Sequence, residues 1–177
     1  FKHNDLNSLE EKLKLSKGNI YIAVESIYSM DGDEAPLLEI CKLAQRYEAA
    51  VIVDEAHATG IFGTNGSGLV EELGLTDQVF ARVITFGKGL GTHGAAVLGT
   101  HTLRSYLINF ARSFIYSTAA PFHTHLSVKM AYRLLRSGNQ QKTIRDKIHT
   151  FKESVAGISE HFIDSRSAIQ SMIIGGN

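Results

Sequence analysis

The sequence is poor in the features that mark secreted, membrane-spanning and nucleic-acid-binding proteins. It has one cysteine, Cys41, so no disulfide can close within it. A single thiol and a start without a signal-peptide pattern predict a reducing, cytoplasmic setting. There is no run of about 18 consecutive apolar residues, which excludes an apolar transmembrane helix. Lysine plus arginine equals aspartate plus glutamate at 18 each. That balance argues against a polybasic membrane patch or a nucleic-acid surface as the main business of the chain. Internal repeats and low-complexity tracts are also missing.

Several chemical signatures are absent too. A zinc hydrolase would show H-E-x-x-H or clustered ligands, whereas the eight histidines are scattered. A serine hydrolase would show G-x-S-x-G. Asp54-Glu55-Ala56-His57 spells the acidic signature of some helicases. Those need a G-x-x-x-x-G-K-[ST] phosphate loop upstream, and the one glycine–lysine near a strand end, Gly87-Lys88, lies downstream.

What remains is a globular composition, 44% hydrophobic and 20% charged over 177 residues, enough for one domain with a sizeable core. The chain begins at Phe1 without an initiator methionine and stops at Gly176-Asn177 in mid-pattern, which suggests a piece of something longer. Its organisation reads as alternating strands and helices. A short helix is expected over Asn4–Leu15, capped by Asn4 or Asp5. Ile20–Val24 is a continuous apolar run, as expected of a strand buried on both faces. Asp33, Glu34 and Pro36 should start a helix running to about Tyr47; Cys41 falls on its apolar stripe and reads as packing. Ala50–Val53 is the next buried strand, ending at Asp54. A glycine-rich loop, Gly60–Gly68, leads to a short helix near Leu69–Leu73. Arg82–Phe86 is a third strand. Gly94–Gly99 is a fourth, joined by too few residues for a crossover helix and so expected to run antiparallel. A helix at Leu103–Ala111, a strand at Phe114–Ser117, and helices at Thr124–Leu135 and Thr143–Phe162 complete the pattern. The class is α/β with a mostly parallel sheet, one antiparallel strand and helices on both faces.

Ligands of such sheets bind at the carboxyl ends of the strands. That edge should collect Ser29, Asp54 with His57, Lys88, and Ser117 with Thr118. Read alone, Thr85–Gly91 is a strand end, a glycine turn and a surface lysine; Ser29 reads as a turn cap, His57 as a satisfied histidine and His93 as loop. Read together, a carboxylate closing one strand, a histidine three residues on and a lysine closing the neighbouring strand suit pyridoxal phosphate (PLP) chemistry. The lysine bonds the aldehyde carbon and can act as a base, and the carboxylate pairs with the pyridinium nitrogen. Thr85 and a second hydroxyl can bond the phosphate.

The segments ESIYSMDGD (Glu25–Asp33), VDEAHATGIFGTNGSG (Val53–Gly68), TFGKGLGTHGAAVLG (Thr85–Gly99) and FARSFIYST (Phe110–Thr118) carry a resemblance. In that order, over nearly the whole chain, they are similar to the α-oxoamine synthases. These are PLP enzymes of the aspartate-aminotransferase fold type that condense an amino acid with an acyl-CoA and release CO₂ and CoA. TFGK followed by THGAA, and IYST, most resemble the branch joining L-alanine to pimeloyl-CoA or pimeloyl carrier protein in biotin synthesis. The branch using glycine and acetyl-CoA more often has a threonine-leucine-glycine-lysine motif. A non-catalytic scaffold subunit is the other alternative, against which the joint presence of Lys88, Asp54 and His57 argues.

The resemblance implies that Lys88 bonds the cofactor, Asp54 pairs with its ring nitrogen, and His57 bonds its phenolic oxygen with Ser29 nearby. It implies that Thr85 holds the phosphate, that Ser117 and Thr118 reach the phosphate of the neighbouring subunit of a homodimer, and that Glu25 borders the substrate pocket. It also implies that residues 1–165 belong to the cofactor-binding large domain and 166–177 open a small C-terminal domain. The family's N-terminal phosphate loop and ring-stacking side chain, and its C-terminal carboxylate-binding arginine, have no counterpart in this stretch. It is therefore expected not to turn over substrate alone.

Overall fold

The computed structural model describes residues 1–175. Its centre is a four-stranded sheet of β1 (Tyr21–Glu25), β2 (Ala50–Asp54), β3 (Ala81–Thr85) and β4 (Ala95–Gly99), arranged in sequence order. β1 pairs parallel with β2, and β2 with β3; β3 and β4 are antiparallel. The class expected from the sequence is the class observed: a mostly parallel α/β sheet with one antiparallel pair and helices around it.

Register places the site. Glu25 is opposite Asp54 and Asp54 opposite Val83. Paired residues share a face, and so do residues two apart along a strand. Glu25, Asp54 and Thr85 therefore project from one face at the carboxyl edge. The other face is the dry one. Ile22, Val24, Val51 and Val53 pack there against α1 (Leu6–Leu15), α2 (Leu37–Arg46) and α3 (Leu69–Glu72), through Leu9, Leu13, Leu37, Ile40, Ala44, Leu69 and Val70. Cys41 belongs to this core, as expected.

Burial of β1 differs from expectation. Its residues alternate between exposed and buried, and Tyr21 is 58% exposed. An apolar run can fill two faces only where two layers cover it, and among the described residues the face of Tyr21 and Ala23 has no such cover.

Local chemistry sets the element ends. Asp5 caps α1, its carboxylate accepting from the Ser8 amide at 2.9 Å. The helix expected from Asp33 starts one turn later, because the turn before it is tied elsewhere. Tyr28 N–H donates to Asp33 O, Ala35 N–H donates to Ser26 O, and the Asp33 carboxylate accepts from Asn4 and meets His3, both at 2.7 Å.

Beyond the sheet lie α4 (His101–Phe110), α5 (Arg112–Ile115), α6 (Phe122–Arg136) and α7 (Asn139–Ser154). The strand expected at Phe114–Ser117 is absent: α5 ends there in a turn. Its aromatic and β-branched residues suit a pleated surface, but among the described residues no neighbouring strand accepts them. The Phe114 and Ile115 amides bond Ala111 O instead. The long last helix also stops early, at Ser154, followed by a 3-10 stretch Ala156–His161 with a non-helical Ile158. Val155 and Gly157 are poor helix residues at that break.

Residues 161–173 fold back as a hairpin, with Ile163 N–H donating to Ser171 O and Ile173 N–H to His161 O. Its tip is bolted to the turn at 30–34. Ser165 and Ser167 are buried, and the Ser165 hydroxyl donates to Gly32 O at 2.6 Å. Arg166 forks onto Glu34 with two 2.7 Å bonds, reaches Glu72 at 3.2 Å and lies over the Phe62 ring. These carboxylates hold its guanidinium ionised well beyond its ordinary range. The segment 166–177, expected to open a second domain, includes this tip, and its last two residues lie outside the described ones.

Candidate active site

β2 delivers Asp54 to the carboxyl edge with its carboxylate oriented, Oδ1 accepting from the Ala56 amide at 2.8 Å. The other oxygen receives no hydrogen bond from the described residues. The chain then makes one turn, with the Ala58 and Thr59 amides and the Thr59 hydroxyl all donating to Glu55 O. This turn aims His57 across to the end of β3, where Lys88 Nζ lies 2.8 Å from His57 Nε2.

The approach of the two loops depends on Gly89. A β-carbon there would run into the Thr59 carbonyl. The glycine flanking the lysine thus makes room for a neighbouring loop as well as for any ligand.

Burial pushes the His57 pKa below its ordinary value, and the Lys88 charge pushes the same way, against the opposing pull of Glu25 and Asp54. The imidazole is therefore neutral near pH 7 and can accept from the Lys88 ammonium. Thr85 completes the group. Its hydroxyl oxygen is buried and has no hydrogen-bond partner among the described residues. Such a vacancy is costly unless a ligand fills it. A cavity of about 330 Å³ opens beside Lys88 and His57, walled by Ile61, Leu135, Ile144 and Ile169.

Asp54, His57, Lys88 and Thr85 thus converge, and Glu25 lies on the same edge. Glu25 Oε2 accepts from the Ser29 amide at 3.1 Å, so Ser29 sits at the rim with its side chain exposed. Ser117 and Thr118 do not join the group. Both are exposed, and the Ser117 hydroxyl donates to Phe114 O. His93 is exposed in the turn between β3 and β4.

Sequence reasoning passed over Glu55. It is fully buried, Oε2 accepting from Arg82 Nε at 2.8 Å and from Arg82 Nη2, and Oε1 from the Val70 amide at 2.8 Å. Arg82 also donates to Ser67 O. The pair ties the end of β2 to the start of β3 and to the loop between, holding Asp54 and His57 from behind. The signal was present: an arginine opening an apolar strand, and an acid sandwiched between Asp54 and Ala56.

All residues 1–177 match the family model for aminotransferase class I and II. An 8-amino-7-oxononanoate synthase of Emericella nidulans is 48% identical over 137 residues, covering 75% of this chain and 33% of that protein. One from an Enterobacter species is 39% identical over 181 residues, covering 100% and 47%. A serine palmitoyltransferase from S. paucimobilis, solved with a bound PLP–myriocin aldimine, superposes with a TM-score of 0.92 at 27% identity. That match covers 100% of this chain and 47% of the other. The 8-amino-7-oxononanoate synthase of Francisella tularensis superposes at 0.78 with 28% identity, over 94% and 48%. The chain spans between a third and a half of the length of these relatives. The family model matches this chain from end to end, and the chain belongs to the aminotransferase class I and II family.

Proposed function

We propose that the full-length protein is a PLP-dependent acyltransferase. In this reading it condenses L-alanine with pimeloyl-CoA or pimeloyl carrier protein, losing CO₂ and CoA, to form 8-amino-7-oxononanoate for biotin synthesis. The observation that carries the reading is the pairing of Lys88 with His57 beside Asp54, in a chain matched end to end by relatives named for that activity.

The residues present fit the cofactor. Among the described residues the Thr85 hydroxyl and one Asp54 oxygen have no partner; the first suits a phosphate oxygen, the second a protonated ring nitrogen, and His57 suits a phenolic oxygen. When bound, the cofactor supplies an electron sink for charge developed at the substrate Cα. Lys88 removes and returns the proton at that carbon. Asp54 keeps the ring nitrogen protonated, and its carboxylate is held ready by the Ala56 amide. Glu25 borders the substrate and steadies the Ser29 turn.

Ser117 and Thr118 stand apart from this chain's own group, which supports a role toward the cofactor of a second subunit in a homodimer. Tyr106, Phe110, Phe114, Phe122, Leu126 and Met130 are all exposed, an apolar surface of the kind subunit contacts cover. The division into a large domain over 1–165 and a small one from 166, and a cytoplasmic location, belong to the same reading.

A second reading changes the amino acid, to glycine with acetyl-CoA or to serine. The superposition on a serine palmitoyltransferase favours keeping it open. Offering the full-length protein alanine, glycine and serine with acyl-CoAs of several lengths, and following CoA release, decides between them. A preference for alanine with pimeloyl-CoA supports the first; preference for glycine or serine replaces it.

A further inference from the structure

The Lys88–His57 contact carries a role besides holding a cofactor, one that rests on the reading of Lys88 as the cofactor lysine. We propose that His57 Nε2 takes the proton from the Lys88 ammonium each time the lysine becomes a nucleophilic amine. An ammonium can only donate, so in the 2.8 Å contact Nε2 presents its lone pair and the ring proton sits on Nδ1. Among the described residues Nζ has no other hydrogen-bond partner. The groups facing His57 are Glu25 from β1, Asp54 from β2 and Lys88 from the turn after β3. On the cavity side the walls are Leu135, Gln140, Ile144 and Ile169, none of which titrates. Burial and the Lys88 charge favour the neutral ring, which leaves the Nε2 lone pair open but makes it a weak base. The transfer is therefore transient and is drawn forward when the amine bonds to carbon.

The step balances without an oxidant or reductant. One N–H bond of the ammonium breaks, the electron pair stays on Nζ, and the proton bonds to Nε2. The amine then adds to the aldehyde carbon of pyridoxal phosphate. The imidazolium returns the proton to the hydroxyl so formed, which leaves as water. The nitrogen ends as a protonated imine, and His57 ends neutral. The alternative acceptor is bulk water, since Lys88 is exposed.

The test uses the full-length protein freed of cofactor, with pyridoxal phosphate added and the imine followed by its visible absorbance. His57→Gln keeps a hydrogen-bond acceptor but has no basicity. The proposal expects imine formation to slow about 100-fold at neutral pH in this variant. It also expects imidazole added to His57→Ala to restore the rate, with substituted imidazoles ranking by basicity. A rate in His57→Gln equal to wild type, or no response of His57→Ala to imidazole, overturns the relay while Lys88 keeps its cofactor role. A variant that does not fold is replaced by the wild-type pH profile. There the rate must show an acid limb as His57 gains its proton; a profile in which that limb is missing overturns the relay. If wild type forms no imine, or Lys88→Ala forms one equally fast, the cofactor reading fails and the relay with it.

Discussion

Glu55→Ala should be among the most damaging single substitutions in the chain, though Glu55 touches neither Lys88 nor the cavity. The side chain is fully enclosed, and its partner Arg82 is only 10% exposed. Removing one member of a buried pair leaves the other charged and unpaired, at about 3–5 kcal/mol. The Val70 amide loses its acceptor as well, and an unsatisfied buried group costs about 1–3 kcal/mol. Overlap between the two makes about 4 kcal/mol a fair expectation, against a total stability of about 5–15 kcal/mol. With a urea dependence of about 2 kcal/mol per molar, the unfolding midpoint should fall by about 2 M. Urea titration followed by far-UV circular dichroism measures it. The double variant Glu55→Leu/Arg82→Met separates lost attraction from stranded charge, because an apolar pair of similar volume often replaces a buried ion pair at little cost. A loss below about 1 kcal/mol in Glu55→Ala, or a double variant no better than the single, would refute the reasoning.

Three further outcomes are expected. Thr85→Val removes a buried hydroxyl with no partner among the described residues, so the cofactor-free protein should be as stable or more so, while equilibrium dialysis should show pyridoxal phosphate held at least about tenfold more weakly, a lost charge-assisted bond being worth about 1.5–3 kcal/mol. Gly68→Ala should destabilise by about 2 kcal/mol or more in thermal melts. Its φ of +112° disfavours any side chain, and a β-carbon would strike the Glu55 carboxylate. The folded-state pKa of His57 lies below its unfolded value of about 6.5. Below about pH 6.5 the unfolded chain therefore binds more protons than the folded one at this site. The stability His57 preserves near neutrality should drain away as pH falls toward its folded pKa, and His57→Gln should lack that component in urea titrations from pH 7 to 5.

Most of the strand-edge group was legible in the sequence because strand ends are. Val51-Ile52-Val53 running into Asp54, and Val83-Ile84-Thr85 running toward Lys88, place their polar residues on one edge once the sheet is parallel. The brevity of the segment between Lys88 and Ala95 was enough to make β4 antiparallel. What escaped depended on partners far away in sequence. Phe114–Tyr116 has strand-like residues, and with no strand beside it among the described residues it forms a helical end. Glu55 and Arg82 look like ordinary surface charges until the loop over Gly68 closes above them. Ser165 and Ser167 are small polar residues of a kind common in loops. Their burial follows from the Gly32 carbonyl, which local pattern does not reveal.

The strand order has a consequence for how the chain assembles. Each strand lies beside the one made just before it, so β1, β2, β3 and β4 can pair one after another as the polypeptide lengthens. The clasp at 30–34 works on another scale. The Ser165 hydroxyl bonds Gly32 O across 133 positions, and the Arg166 fork reaches Glu34 across 132. Closing so long a loop costs entropy before any contact repays it. The sheet and its edge can therefore form early, with the Ile169 side of the cavity arriving only when the clasp shuts. During synthesis, Lys88 and His57 would face water from that side until the last of these residues had emerged.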